Sequence, residues 1–185
     1  MTEIIHIETP RLRLRQWIDA DLAPFAALNA DSAVMEFFVS PMTREASDAM
    51  ARRLQSLIAE RGWGHWAVEE RESGAFIGFV GLHNPIATLP CSPCVEIGWR
   101  LGLAHWGKGF ATEAASAVLD VGFKQLRLPE IVSFTATTNL RSQAVMRRIG
   151  MVRDGGFDHP NVPEGHLLRP HVLYRARSPF RSDGQ

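Results

Sequence analysis

The chain reads as an α+β fold, a three-layer arrangement of one sheet with flanking helices, on three observations. Two long segments, 43–61 and 109–126, repeat apolar residues at helical spacing. Shorter segments alternate apolar and polar residues as half-buried strands do. A Ser73-Gly74 turn signal joins two β-rich runs into a hairpin.

In order, Arg11-Leu12-Arg13-Leu14-Arg15 alternates and reads as a strand. Asp19 or Asp21 can cap a short helix running to about Asn29, with Pro24 tolerated in its first turn. A second helix runs from about Thr43 to Arg61 with Ala46, Met50, Leu54, Leu57 and Ile58 as its stripe, and Gly62 ends it. Residues 66–69 and 75–82 are the hairpin strands, and 95–101 is another strand. The long helix spans about Gly109 to Leu126, with Ala111, Ala115, Val118, Leu119, Gly122 and Leu126 on one face. Residues 131–137 are β-rich. A short helix from Ser142 to Ile149 stops at Gly150, and strands at 151–157 and 171–176 close the sheet. The order is β-α-α-β-β-β-α-β-α-β-β. Residues 1–177 read as a single domain without linker, repeat or low-complexity segment, and 178–185 as a flexible tail.

Composition narrows the function classes. Apolar content of 45% with 22% charged residues is that of a soluble globular chain. Zero formal net charge argues against a dedicated nucleic-acid binder. Residues 120–185 hold 10 Lys+Arg against 6 Asp+Glu, an excess that suits an anionic ligand or a solvated surface equally. No apolar run is long enough to span a bilayer, and no basic stretch precedes an apolar core at the N-terminus, so a cytoplasmic location is expected. Cys91-Ser92-Pro93-Cys94 lacks a second cysteine pair, so reduced thiols in a loop are expected rather than a metal or redox site. The histidines of 158–170 and His171 have no regular ligand spacing, and no metal is expected.

Residues 106–115, Trp-Gly-Lys-Gly-Phe-Ala-Thr-Glu-Ala-Ala, say most about function. Small residues at 107, 109 and 111 let a ligand approach the backbone, and the helix start behind them offers free N–H groups and a positive dipole end. This is an anion site, most often filled by phosphate. Thr112 stands where a dinucleotide fingerprint needs its third glycine, and Gly109 follows Lys108 where a Walker A loop needs Ser or Thr. A helix start with no ligand remains the plain alternative.

The neighbours point further. The segment resembles motif A of the GCN5-related N-acetyltransferases, Gln/Arg-x-x-Gly-x-Gly/Ala, with Trp106 at the Gln/Arg position and Gly109-Phe110-Ala111 matching the end. Val95 to Leu101 is similar to the fourth strand of the branch of ribosomal-protein N-terminal acetyltransferases. Asn139-Leu140-Arg141-Ser142 and 145–151 are similar to its motif B. The resemblance runs from about Thr9 to Arg177.

It implies a mixed, mainly antiparallel sheet of about seven strands with a splayed central pair. It also implies that acetyl-CoA donates an acetyl group to a primary amine, a protein N-terminus or a small molecule, by direct attack on the thioester, leaving coenzyme A. Main-chain amides of Trp106, Gly107, Lys108, Gly109, Phe110, Ala111 and Thr112 would wrap the pyrophosphate. Main chain at Trp99, Arg100 and Leu101 would pair with the pantetheine arm, with Gly98 as a bulge that splays the strands. Asn139 and Ser142 match motif B contacts to the cofactor, although both also suit helix capping.

Glu96 is the candidate base, with a strand-edge carboxylate as the alternative and Glu36 and His65 in reserve. A main-chain N–H near Trp99 would hold the oxyanion. Many family members place a tyrosine in motif B to protonate the leaving thiolate. Met146 stands there, leaving Ser142 or water, and Tyr174 is the only tyrosine. Phe37, Phe38, Trp63 and Trp66 are candidate walls of the acceptor pocket, and the loop 158–170 its cover. A homodimer is compatible with all of this. A non-catalytic acyl-CoA-binding or regulatory domain and a generic nucleotide-phosphate binder are the competing readings.

Overall fold

The computed structural model describes residues 2–180; residues 181–185 of the expected tail at 178–185 lie outside them. Alternation lays down the first edge of the sheet. In β2 (Leu12–Arg15) Leu12 and Leu14 are buried while Arg13 is exposed. A two-residue strand, β1 (Ile7–Glu8), pairs with it antiparallel and brings the sheet to eight strands among the described residues rather than about seven.

A single 3-10 turn (Asp19–Asp21) leads into α1 (Leu22–Ala30). The Asp21 side chain does not cap that helix, because it is held by Arg15, at 2.7 and 2.9 Å, and by the Ile18 N–H. In α2 (Arg44–Arg61) the Thr43 side chain accepts the Ala46 N–H, and Gly62 closes the helix at φ 83°. The buried face is Ser47, Ala51, Leu54 and Ile58, so the expected stripe is rotated; Ala46 is exposed. The reason is polar: Asn29 of α1 donates to Ser47 Oγ at 2.9 Å inside the α1–α2 interface.

The hairpin forms as expected from β3 (His65–Glu70) and β4 (Phe76–His83). β4 pairs antiparallel with β5 (Glu96–Leu101), in register from Gly78↔Leu101 to His83↔Glu96. The bulge expected at Gly98 is therefore absent, since Gly98 sits opposite Gly81 in an unbroken ladder. α3 (Phe110–Lys124) buries a wider face than predicted, Phe110, Ala114, Ala115, Val118, Leu119, Val121, Gly122 and Phe123. A Cβ on Gly122 would come within 2.5 Å of Ile131 Cδ1, so glycine there sets how closely α3 lies on the sheet.

β6 (Glu130–Ala136), α4 (Leu140–Arg148), β7 (Val152–Asp158) and β8 (Pro170–Arg177) complete the chain. The sheet order is β1-β2-β3-β4-β5-β6-β8-β7. Among the described residues only β5 and β6 are parallel, and their ladder holds the single pair Glu96↔Val132. α1 lies on one face, where Phe25 meets Phe79 with ring centroids 5.9 Å apart, and α3 lies on the other, above Leu82. The apolar cores on the two faces are continuous through the sheet. Among the described residues no helix is long and apolar enough to cross a membrane.

Candidate active site

The site begins where the β5–β6 pairing stops. Val132 N–H donates to Val95 O at 2.9 Å, and the buried Ser133 hydroxyl donates to Ile97 O at 2.9 Å. A hydroxyl thus stands where the next backbone donor would be, and the strands part beyond it. Alternate residues of a strand turn N–H and C=O to the same edge. Val95 and Ile97 face β6, so Trp99 presents its own N–H and C=O to the gap. Leu101 faces it too, but its carbonyl accepts the Trp106 indole N–H at 2.8 Å. A cavity of about 1230 Å³ opens here, bounded by β5, the start of α3, α4, the α1–α2 connection and the 158–170 loop.

Gly107 and Gly109 sit at φ 73° and 81°, the left-handed region where side chains are strained. They turn the chain into α3, whose first internal bond is Glu113 N–H to Gly109 O at 3.0 Å. Phe110, Ala111 and Thr112 therefore hold N–H groups with no acceptor in the helix, at its positive end. Arg11 braces this loop. Its Nη1 donates to Lys108 O at 2.9 Å, its Nε to Glu113 Oε2 at 2.7 Å, and its Cζ lies 4.6 Å from the Phe110 ring centre. Burial alone would push the Glu113 carboxyl up, but hydrogen bonds from Thr9 and Arg11 hold it below its ordinary value. The Lys108 side chain is exposed and lies off the cavity wall.

The other end is acidic and imidazole-rich. Glu96 Oε2 lies 3.3 Å from His83 Nε2 across the β4–β5 pair, and the rings of His65 and His83 are 4.6 Å apart. Burial pushes the Glu96 carboxyl well above the carboxylate range. Burial, with Arg61 nearby, pushes His83 down to about 4, and burial also holds His65 well below the ordinary imidazole value. The three groups thus favour their neutral forms. His65 Nε2 and His83 Nδ1 have no hydrogen-bond partner among the described residues. The missing Cβ of Gly98 leaves the hollow in front of His65 Nε2, 3.4 Å from where that atom would stand.

Asn139 caps α4: its Oδ1 accepts the Ser142 N–H at 3.1 Å while its amide donates to Thr135 Oγ1 and Ser142 Oγ. Asn139, Ser142 and the buried Met146 all line the cavity. Tyr174 does not; its hydroxyl sits between Arg147 and Gln143. Phe37 and Phe38 line the cavity, whereas Trp66 is fully buried and donates its indole N–H to Ile5 O at 2.7 Å. Trp63 is also off the wall, against Arg61. These two tryptophans belong to the packing of the first strands, not to the pocket. Glu36 is exposed, ion-paired with Arg141, and off the wall; Arg141 stacks on Trp106 at 4.7 Å. His159, Asn161, Val162 and Leu168 bring the 158–170 loop onto the wall. Cys91 and Cys94 place their sulfurs 3.4 Å apart as free thiols, the Cys94 thiol pushed up to about 12 by burial. Among the described residues no cluster of three metal-ligating side chains occurs.

Sequence reasoning missed His83, Ser133, Arg11 and the Arg100 side chain. His83 was findable, because the hairpin and the next strand fix it opposite Glu96 once register is counted. Ser133 carries no such signal.

A family model described as an acetyltransferase (GNAT) domain matches residues 11–152. The uncharacterized N-acetyltransferase YnaD of Bacillus subtilis (strain 168) is 30% identical over 163 residues, 88% of this chain and 91% of that protein. The crystal structure of an acetyltransferase from Agrobacterium tumefaciens str. C58 superposes with a TM-score of 0.77 at 28% identity, covering 96% of this chain and 97% of that one. A ribosomal L7/L12 alpha-N-protein acetyltransferase solved in complex with coenzyme A shares the fold, with a TM-score of 0.76 at 16% identity, over 94% and 98%. The chain is a member of the GNAT acetyltransferase family, acyltransferases that use acetyl-CoA.

Proposed function

We propose that this chain transfers the acetyl group of acetyl-CoA to a primary amine by direct attack on the thioester, within one domain spanning 1–177. The observation that supports this most is the open edge of β5 beside a glycine-turned helix start, both on one cavity.

The cofactor has two grips. Amides from Trp106 to Thr112 take the pyrophosphate, with charge supplied by the helix end. The Trp99 C=O takes the pantetheine arm as an added strand would, leaving its N–H for the thioester carbonyl. The Leu101 carbonyl is already bonded to Trp106, so pairing centres on Trp99 and the Trp106 side chain acts as a brace. Leu101 keeps its N–H for the gap, while Arg100, one residue out of phase, turns its backbone carbonyl to β4 beside Gly78 and has no main-chain group left for the cofactor. Asn139 shapes the α4 start so that Ser142 faces the cofactor.

At the reacting end, Glu96 is the general base. Buried beside His83, its carboxylate is a stronger base than a surface glutamate, so it can take the ammonium proton that releases the nucleophilic amine. His83 shares that proton. The amine then adds to the thioester carbonyl, and the oxyanion accepts the Trp99 N–H. The intermediate collapses to amide and thiolate. The nitrogen's remaining surplus proton passes through Ser142 or water to the sulfur, because Met146 has no proton to give; a thiol of pKa about 8.5 leaves readily. Phe37 and Phe38 border the acceptor.

A screen of primary amines and N-terminal peptides with acetyl-CoA, read by thiol release, tests this. Turnover that disappears in Glu96→Gln with coenzyme A binding intact is the expected result. A wild-type protein that binds acetyl-CoA but turns over no amine contradicts the proposal and favours a non-catalytic acyl-CoA-binding role. ATP competing as well as coenzyme A contradicts the cofactor assignment.

A further inference from the structure

The side chain of Arg100 is a buried cation with no counter-ion among the described residues. It is 9% exposed and lines the cavity, and no carboxylate lies within ion-pair distance of it among the described residues. Its Nη1 donates to the Asn29 side-chain oxygen and touches Met42 Sδ at 3.8 Å. Its Nε is buried and unpartnered, and Nη2 makes no hydrogen bond to the described residues. Phe38 and Phe79 flank it, with Cζ 4.1 and 5.4 Å from their ring centres. These rings strip water from the guanidinium without giving it an acceptor oxygen. Burial lowers its pKa only to about 10, so it stays charged at neutral pH. A buried charge that the protein leaves unpaired is costly, and a ligand that supplies the anion recovers that cost.

The position says which ligand. Arg100 points to the sheet face covered by α1 and is held by Asn29 of that helix. The phosphate-binding loop starts α3, which lies on the opposite face. On the same face as Arg100, β5 carries Glu96 and the Gly98 hollow, four and two residues away, which places the two ends of the hollow about 13 Å apart along the strand. A single planar cation with one open edge fits a carboxylate of charge −1; a phosphate dianion calls for a second cation.

We propose that Arg100 binds the carboxylate of the acceptor, so that the amine acetylated here belongs to an amino-acid-like molecule with its ammonium toward Glu96. This rests on the acetyltransferase reading and narrows its acceptor class.

The test uses the full chain loaded with coenzyme A. It is titrated calorimetrically with N-acetylated α- and ω-amino acids, each paired with its carboxamide. At least one carboxylate is expected to bind about 10- to 100-fold tighter than its amide, the range for a charge-assisted hydrogen bond. Arg100→Gln abolishes that preference while leaving coenzyme A affinity unchanged. Asn29→Asp, which keeps Arg100 but gives it an internal counter-ion, abolishes it as well and covers the case in which Arg100→Gln does not fold. Carboxamides that bind as well as carboxylates, or carboxylates that do not bind at all, overturn the inference alone. Variants that weaken coenzyme A as much as the carboxylates move the anion to the cofactor and overturn it too. A wild-type protein that binds no coenzyme A removes the acetyltransferase reading, and this inference with it.

Discussion

Glu96 and His83 face each other across the β4–β5 ladder with 3.3 Å between carboxylate oxygen and Nε2, Glu96 buried and His83 half-buried at the end of the cavity where the strands begin to part. Burial disfavours charge on either group, so the pair rests neutral. Only after losing a proton can it act as a base.

The pH profile of kcat/KM follows from that. The active form is the Glu96 carboxylate, whose pKa is raised by burial, so activity rises with pH along a limb that lies well above the usual carboxylate range. Glu96→Gln is expected to remove the limb and lower kcat/KM about 100-fold or more, within the range for general base catalysis. A limb unchanged in Glu96→Gln would move the base elsewhere.

Stability carries the same groups with defined signs. A buried glutamate whose folded pKa is raised stabilises below its unfolded value and loses that contribution as pH rises through the folded one. Glu96→Gln therefore gains stability over the wild type at alkaline pH and not in acid. His83 is the reverse. Its folded pKa of about 4 lies below the unfolded value of about 6.5, so stability is full above the latter and falls as pH drops toward the former. His65, Arg61 and Arg100 face the same region, and His65 adds to the acid loss. Denaturant unfolding of His83→Gln across this window is expected to show a shallower decline than the wild type.

Ser133→Ala removes the hydroxyl that satisfies Ile97 O. The buried carbonyl is then orphaned, at a cost of about 1–3 kcal/mol in unfolding free energy. Because that bond sits where the strands separate, coenzyme A affinity is expected to fall together with stability. A variant with wild-type stability and affinity would show that the splay is held by other contacts.

Gly109→Ala forces a side chain into φ 81°, a strain of about 1–2 kcal/mol, and disturbs the loop amides. The expected result is weaker coenzyme A binding with a modest loss of thermal stability. Arg11→Ala, which removes the brace on Lys108 O and Glu113, is expected to act in the same direction.

Much of this was legible in the sequence. Periodicity located α2 and α3, and the Ser73-Gly74 signal located the hairpin, because local spacing determines both. The glycines at 107 and 109 announced the turn they make, since positive φ is a local demand. What failed was non-local. Trp66 looked like pocket lining, but β3 is internal to the sheet and its indole is held by Ile5. Gly98 looked like a bulge, but the parting of strands lies on the other edge of β5 and is set by Ser133. The Arg100 environment needs α1 and the α1–α2 connection to meet over β5, which no local pattern encodes.

The central claim is that the gap beside Trp99 and the amides of 107–112 together hold coenzyme A. Calorimetric titration of the wild-type protein with coenzyme A, alongside Gly109→Ala, tests it most directly. Saturable one-to-one binding by the wild type, weakened in the variant, is the predicted result. No heat from the wild type, or equal affinity in both proteins, would contradict it.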